Sequence, residues 1–122
     1  MMKKLALAAM LCWAAASQAA PEADAFFRAV SVNNDGGVRS MLAQGMNPNV
    51  PDAQRGDIPL VLALRDDADK VFAVLLATPG IDLEARSANG NTALMMAAYK
   101  HKLDAVNALL AKGAKVNQSG WT

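Results

Sequence analysis

Gly90-Asn91-Thr92-Ala93-Leu94-Met95-Met96-Ala97 settles the architecture of this chain, because its plan occurs twice. Gly56-Asp57-Ile58-Pro59-Leu60-Val61-Leu62-Ala63 is the earlier copy. After each comes a polar break and a second apolar stretch. These stretches are Val71-Phe72-Ala73-Val74-Leu75-Leu76 and Ala105-Val106-Asn107-Ala108-Leu109-Leu110. Each unit closes at a glycine, Gly80 or Gly113. An earlier segment has the same plan: Phe26, Phe27, Ala29 and Val30, a polar break at Asn33 to Gly36, then Val38, Met41, Leu42 and Gly45. The interval from Gly56 to Gly90 falls within the period of stacked supersecondary units.

The physics of one unit follows from its residues. Pro59 suits the first turn of a helix, where its missing N–H leaves no hydrogen bond unmade. Thr92 is placed to cap the equivalent helix of the next unit. These first helices are about two turns long and rich in Leu, Met and Ala. The second helices put Val71, Val74 and Leu75, or Leu103, Val106, Leu109 and Leu110, on one stripe at helical spacing. Gly45, Gly80 and Gly113 are expected just past a helix end, where glycine adopts the left-handed conformation most readily. The polar run after each must reach the next helix pair as a loop or hairpin. One unit cannot bury its own stripe, whereas stacked units can, so the expected architecture is an all-α solenoid of helix-turn-helix units with finger loops.

At this point the sequence resembles the ankyrin repeats. The residues that carry the likeness are Asn89-Gly90-Asn91-Thr92-Ala93-Leu94, and Leu109-Leu110-Ala111-Lys112-Gly113-Ala114-Lys115-Val116-Asn117. The preceding unit keeps Gly56, Pro59, Leu60, Ala63, Leu75, Leu76 and Gly80. The resemblance implies an N-terminal capping repeat over residues 20–52, repeats over 53–86 and 87–119, and the start of a further repeat at 120–122. The family's histidine in the first helix is replaced by Val61 and Met95, and its capping threonine by Ile58. Apolar packing is therefore expected to replace some polar links between units. Thr78-Pro79 lengthens one helix–loop junction, and Asn117 to Gly120 is a shortened finger. Because Gly120-Trp121-Thr122 matches the opening of a repeat, the outer faces of Leu94, Val106 and Leu109 are expected to be partly bare as the chain stands; the leading expectation is that the array is part of a longer one, the alternative that another chain covers that face.

Ahead of the repeats, the N-terminus carries a different message. Lys3 and Lys4 precede an uncharged apolar run, Leu5 to Ala16, and Ser17-Gln18-Ala19 places small residues for cleavage after Ala19. Charge, apolar run and small-residue site in that order read as a secretory leader over residues 1–19, and the run is short for a membrane span. Cys12 follows the bulky Leu11 and lies inside the run, so it reads as part of the leader rather than as a lipid attachment point. The mature chain then has no cysteine, which excludes a disulfide, a thiol nucleophile and a thiolate metal site. Lys plus Arg number 12 and Asp plus Glu 11; losing Lys3 and Lys4 leaves 10 against 11, a net charge of −1. No strong field exists to attract nucleic acid or an anionic membrane.

Little in the sequence carries chemistry. His101 is the single histidine and reads as an exposed loop residue between two helices. Asp66, Asp67 and Asp69 form an acidic cluster, but without the glycine turn and distal glutamate of a calcium loop. Asp67 or Asp69 is expected to cap the following helix instead. No serine lies in a nucleophile elbow, and Asp35-Gly36-Gly37 is a turn or capping signal. Met41, Met95 and Met96 read as core. No catalytic residue, cofactor, metal or small-molecule substrate is expected.

Function is therefore expected to lie in binding. The resemblance implies that partners meet a concave face of first helices and the finger tips. Carried onto this chain, the fingers offer Gln54, Arg55, Asp57, Arg86, Asn89 and Asn91, and the first-helix ends offer Arg65, Asp66, Tyr99 and Lys100. The leading expectation is an exported, non-catalytic module that binds a protein of the bacterial periplasm or envelope, either to protect it or to neutralise it as an immunity protein. The alternative is a targeting or regulatory part of a longer enzyme with its catalytic domain beyond residue 122. A third reading is a structural unit that extends a longer solenoid.

Overall fold

The second apolar stretches begin helices at Asp35, Asp69 and Leu103, evenly spaced along the chain, and that constant period sets the architecture. The computed structural model describes residues 22–116. The leader read over residues 1–19, Asn117 of the last finger and the Gly120-Trp121-Thr122 repeat opening lie outside the described residues. Six helices follow one another: α1 (Ala23–Ser31), α2 (Asp35–Ala43), α3 (Pro59–Arg65), α4 (Asp69–Ala77), α5 (Ala93–Tyr99) and α6 (Leu103–Ala111). Consecutive helices pair as α1–α2, α3–α4 and α5–α6; the first helices of successive pairs pack in a row, and α2 packs on α4. The chain is an all-α repeat solenoid, with no strand among the described residues.

Local chemistry explains where helices start. Pro59 occupies the first turn of α3. Thr92 caps α5, its hydroxyl accepting from the Met95 N–H at 3.3 Å. Ile58 precedes α3 without a capping bond and is instead buried in the core. The core runs through all three pairs: Phe26, Val30 and Val38, then Leu60, Leu64, Val71 and Leu75, then Leu94 and Leu109 are buried. Val61 and Met95, which stand where the family has a histidine, are buried with them. No buried side-chain nitrogen or oxygen among the described residues lacks a partner, so this exchange strands no polar group.

Within each pair the helices are joined through one residue with positive φ, at the same place in every repeat: Asn33 (60°), Asp67 (58°) and His101 (57°). Asn, Asp and His are the non-glycine residues that tolerate this region best. Asn33 does more than turn the chain. Its side-chain oxygen accepts from the N–H groups of Lys70 (3.0 Å) and Val71 (3.1 Å) in the first turn of α4, one repeat further on. This corrects the expectation that Asp67 or Asp69 caps α4. The N-cap position is Ala68, which makes no side-chain cap, and the cap comes from the neighbouring repeat. Asn33→Gly, which keeps the turn and removes only the cap, should destabilise by about 0.5–2 kcal/mol in chemical denaturation. Asn33→Ala should be worse by about 1 kcal/mol, because alanine also resists positive φ.

Three further expectations change. Helical spacing puts Leu103 on the buried stripe of α6, yet it is 73% exposed, and Leu110 is 40% exposed; Ala105 and Leu109 form the buried face. Of the three residues expected to be partly bare, Leu94 and Leu109 are buried and Val106 is half-buried, and the exposed apolar groups at that end include Leu103, Leu110 and Val116. Gly45 and Gly113 sit one residue past the helix caps, as expected, but Gly80 lies three residues beyond α4. Pro79 forces Thr78 into an extended conformation (ψ 129°), which ends the helix before the glycine. The glycines of Asp35-Gly36-Gly37 belong to the first turn of α2, capped by Asn34, whose side chain accepts from the Gly37 N–H at 3.0 Å.

Candidate functional site

The finger loops are turns tied by backbone hydrogen bonds rather than strand ladders. In the first, the Asp52 N–H donates to Asp57 O and the Gly56 N–H to Asp52 O, both at 2.8 Å. In the second, the Ser87 N–H donates to Asn91 O (2.9 Å) and the Gly90 N–H to Ser87 O (2.8 Å). The Ala88 N–H then donates to Gly56 O at 3.0 Å, so one finger fixes the next. Further along, Asn49 accepts from the Asp82 N–H (2.8 Å) and donates to Gly80 O (2.9 Å), and Glu84 accepts from the Lys115 N–H (3.0 Å). Side chains of one repeat thus hold the backbone of the next at every step, and the fingers are positioned as a set.

Arg55 and Asn89 occupy exposed finger tips, and Gln54 is exposed beside Arg55. Asn89 also accepts from the Ser87 hydroxyl, and Arg86 donates to Gly90 O at 2.9 Å, so both brace their own finger. Asn91 is half-buried. Asp57 is buried, and both its oxygens bind Arg65, each at 3.0 Å, in a bidentate pair. That pairing, and chiefly its hydrogen bond, raises the Arg65 pKa above its ordinary value. Asp57 therefore clamps Arg65 at the end of α3, with the side chain half-exposed. Asp66 is exposed and accepts from the Ser31 hydroxyl of the previous repeat at 2.6 Å. Tyr99, at the equivalent helix end, is 80% exposed.

Lys100 plays a different part. Its ammonium donates to Arg65 O at 3.0 Å and lies 3.4 Å from Asp67. Lys102 lies 2.9 Å from Asp67 and 3.2 Å from Asp69. The acidic cluster is thus an ion-pair joint between the second and third helix pairs, and no group of potential metal ligands occurs among the described residues. The Lys102 ammonium, followed by that of Lys100, holds the Asp67 carboxyl below its ordinary range, and Asp67 in turn raises Lys102. A depressed carboxylate stabilises the fold above its unfolded-state pKa, and that contribution disappears as pH falls through the lower folded value. A raised lysine stabilises below its unfolded-state pKa, and its contribution disappears as pH rises through the higher folded value. The joint is therefore intact between about pH 4 and pH 10 and weakens outside that window. Because the carboxylates are exposed and the lysines only half-buried, salt should screen these pairs. Thermal melts at pH 7 should fall modestly between low and high sodium chloride, and Lys102→Met should remove most of that dependence.

One contributor was not legible as a site residue. Arg28 stands on α1, and the equivalent positions of the next two repeats are Leu62 and Met96, both buried. A charged residue at an otherwise apolar position of the period was the signal available. Arg28 and Arg55 line the same hollow, about 350 Å³, between α1 and the first finger. Two other hollows lie on the back: one between α2 and α4, about 710 Å³, and one between α4 and α6, about 580 Å³ and lined by Phe72, Leu76 and Ala105.

Comparison with known proteins agrees with this geometry. The family model for ankyrin repeats, in three copies, matches residues 26–119. The chain is 36% identical over 87 residues to the human transient receptor potential cation channel subfamily A member 1, covering 71% of this chain and 8% of that protein. It is 32% identical over 77 residues to an ankyrin repeat protein of Rickettsia felis, covering 63% of this chain and 25% of the relative. Human neurogenic locus notch homolog protein 4 is 40% identical over 76 residues, 62% of this chain and 4% of its own length. The chain thus spans at most a quarter of the length of these relatives. Three helix pairs at one constant period, cross-braced fingers and the family match leave one conclusion: this chain belongs to the ankyrin-repeat family, whose members serve as protein–protein interaction modules.

Proposed function

We propose that this chain is an exported bacterial module that binds another protein of the periplasm or envelope and carries out no catalysis itself. The observation that carries the binding reading is Tyr99. It is a large amphipathic ring, 80% exposed at the end of α5, with no hydrogen bond or ring contact among the described residues. It holds the position equivalent, one repeat on, to the half-exposed Arg65 whose direction is fixed by Asp57. Exposed Tyr and clamped Arg are the residue types that most often dominate protein interfaces. Export rests on the leader pattern of Lys3, Lys4, Leu5 to Ala16 and Ser17-Gln18-Ala19. Protection of an envelope enzyme and neutralisation of a toxin both fit, since either needs only a rigid complementary face.

Tagged protein exported from its own leader tests this reading. Fractionation should place it outside the cytoplasm, with a mass corresponding to cleavage after Ala19. One protein should co-purify with the wild type and with Asn107→Ala, a change on an exposed position of α6. Tyr99→Ala should lose it, with at least about 2 kcal/mol of binding free energy removed and the circular dichroism unchanged. Equal recovery with Tyr99→Ala would contradict the assignment of the face. Lys100 is unsuitable for this test, because its removal would also open the joint to Arg65 and Asp67.

A further inference from the structure

We propose that the hollow between α1 and the first finger binds an acidic segment of a partner polypeptide, with Arg28 and Arg55 as its two carboxylate-binding groups. This rests on the protein-binding reading above and adds the chemistry of what is bound. The guanidiniums of the described residues divide into two sets. Arg39 pairs with Asp35 at 2.9 Å, Arg65 is held by Asp57, and Arg86 is engaged in its finger. Arg28 and Arg55 are exposed and make no hydrogen bond or ion pair within the described residues. They come from different elements, a helix and a finger tip, yet face one hollow.

The other polar groups of that hollow are partly spoken for. The Ser31 hydroxyl donates to Asp66 at 2.6 Å. Asp52 accepts from the Gln54 N–H at 3.0 Å, which fixes the finger. Asp24 is exposed on the rim and pairs with neither arginine. Besides the neutral Gln54 amide, the donors left open are the two guanidinium forks, the charged ones, each able to grip a carboxylate in bidentate fashion. Because Asp24 and Asp52 share the hollow, its net charge is not positive. Recognition must come from directed pairs with a carboxylate placed between the arginines, not from a long-range field, and Asp24 should disfavour a run of acids. The apolar wall, Leu62, suits the aliphatic part of a glutamate or a neighbouring apolar side chain. Other repeats cannot offer this site: the positions equivalent to Arg28 are Leu62 and Met96, and the position equivalent to Arg55 is Asn89.

A phage-displayed library of random twelve-residue peptides, panned on the full chain, tests the proposal. Enriched peptides should carry one Asp or Glu at a fixed place in their common motif. A synthetic peptide of that motif should bind at least about tenfold more weakly to the Arg28→Gln, Arg55→Gln double variant, as expected for loss of charge-assisted pairs. Replacing its acid by the amide should cause a similar loss on the wild type and little further loss on the variant. Both arginines are exposed and unpaired, so melting of the variant should match the wild type. Enrichment of peptides without acids, no enrichment at all, or affinity unchanged in the double variant would overturn the proposal. Peptides that respond to Tyr99→Ala but not to the arginine changes would also overturn it, while leaving the protein-binding reading in place.

Discussion

Leu75→Ala should destabilise the chain by about 2–5 kcal/mol, the range for deleting a buried leucine and leaving a cavity behind. Leu75 is completely buried in α4, in the middle helix pair. Its loss acts on both neighbours, because each repeat is stable only through contacts with the next. For a domain of this size, about 1 kcal/mol corresponds to 4–8 °C, so the melting temperature should drop by roughly 10 °C or more. Leu110→Ala provides the contrast. Leu110 is 40% exposed, so its truncation removes little buried surface and should change stability by less than about 1 kcal/mol. Similar losses for the two would mean that the α6 face at Leu110 is covered in solution.

Gly56→Ala should be the second most damaging change. Gly56 has φ +70°, and an added Cβ would stand 2.5 Å from the Cβ of Ala88 in the next finger. Gly56 O also accepts the Ala88 N–H, so neither group can retreat without loosening the joint between fingers. Strain and overlap together should exceed about 2 kcal/mol. Gly90, at the equivalent place, has φ +86° and open space around its would-be Cβ. Gly90→Ala should therefore show only the conformational part, about 1–2 kcal/mol. Equal effects on denaturant midpoints would rule out the close approach at Ala88 as the cause.

These contrasts show which parts of the fold could be read from sequence. Pro59 and Thr92 act on their own helices, so their roles follow from local chemistry, and both stand where the sequence places them. Val71 and Leu75 are buried as their spacing predicts. Spacing failed at Leu103 and Leu110 because a helical stripe says which residues share a face, not which face has a neighbour. In α6 the buried face turns on the small Ala105 instead. The cross-repeat bonds were illegible for a related reason. Asn33 caps a helix 37 and 38 residues away, and Asp57 meets Arg65 across the whole length of α3. Even so, Asn33, Asp67 and His101 all fall in the polar breaks at one place in the period, and all three take the same backbone conformation.

The expected contact residues divide on the same physical grounds. Arg55, Asn89 and Tyr99 are exposed at finger tips and a helix end, where a partner can reach them. Asp57 and Lys100 are committed to holding the scaffold, one through Arg65 and the other through the joint at Asp67. Sequence position alone does not separate these two groups, because the difference lies in which side chain stacking brings opposite each of them.

Each repeat is braced by side chains of its neighbour, so the face proposed for binding is assembled before any partner arrives. Amide hydrogen exchange at Lys70 and Val71 reports on this bracing. Both amides lie in the first turn of α4, where no intrahelical acceptor exists, and their acceptor is Asn33 of the preceding repeat. They should be well protected in the free protein and exchange much faster in Asn33→Gly, while the amides of the α4 interior remain slow. Rapid exchange at Lys70 and Val71 in the wild type would contradict this, because it would mean that the repeats are not locked together by their side chains.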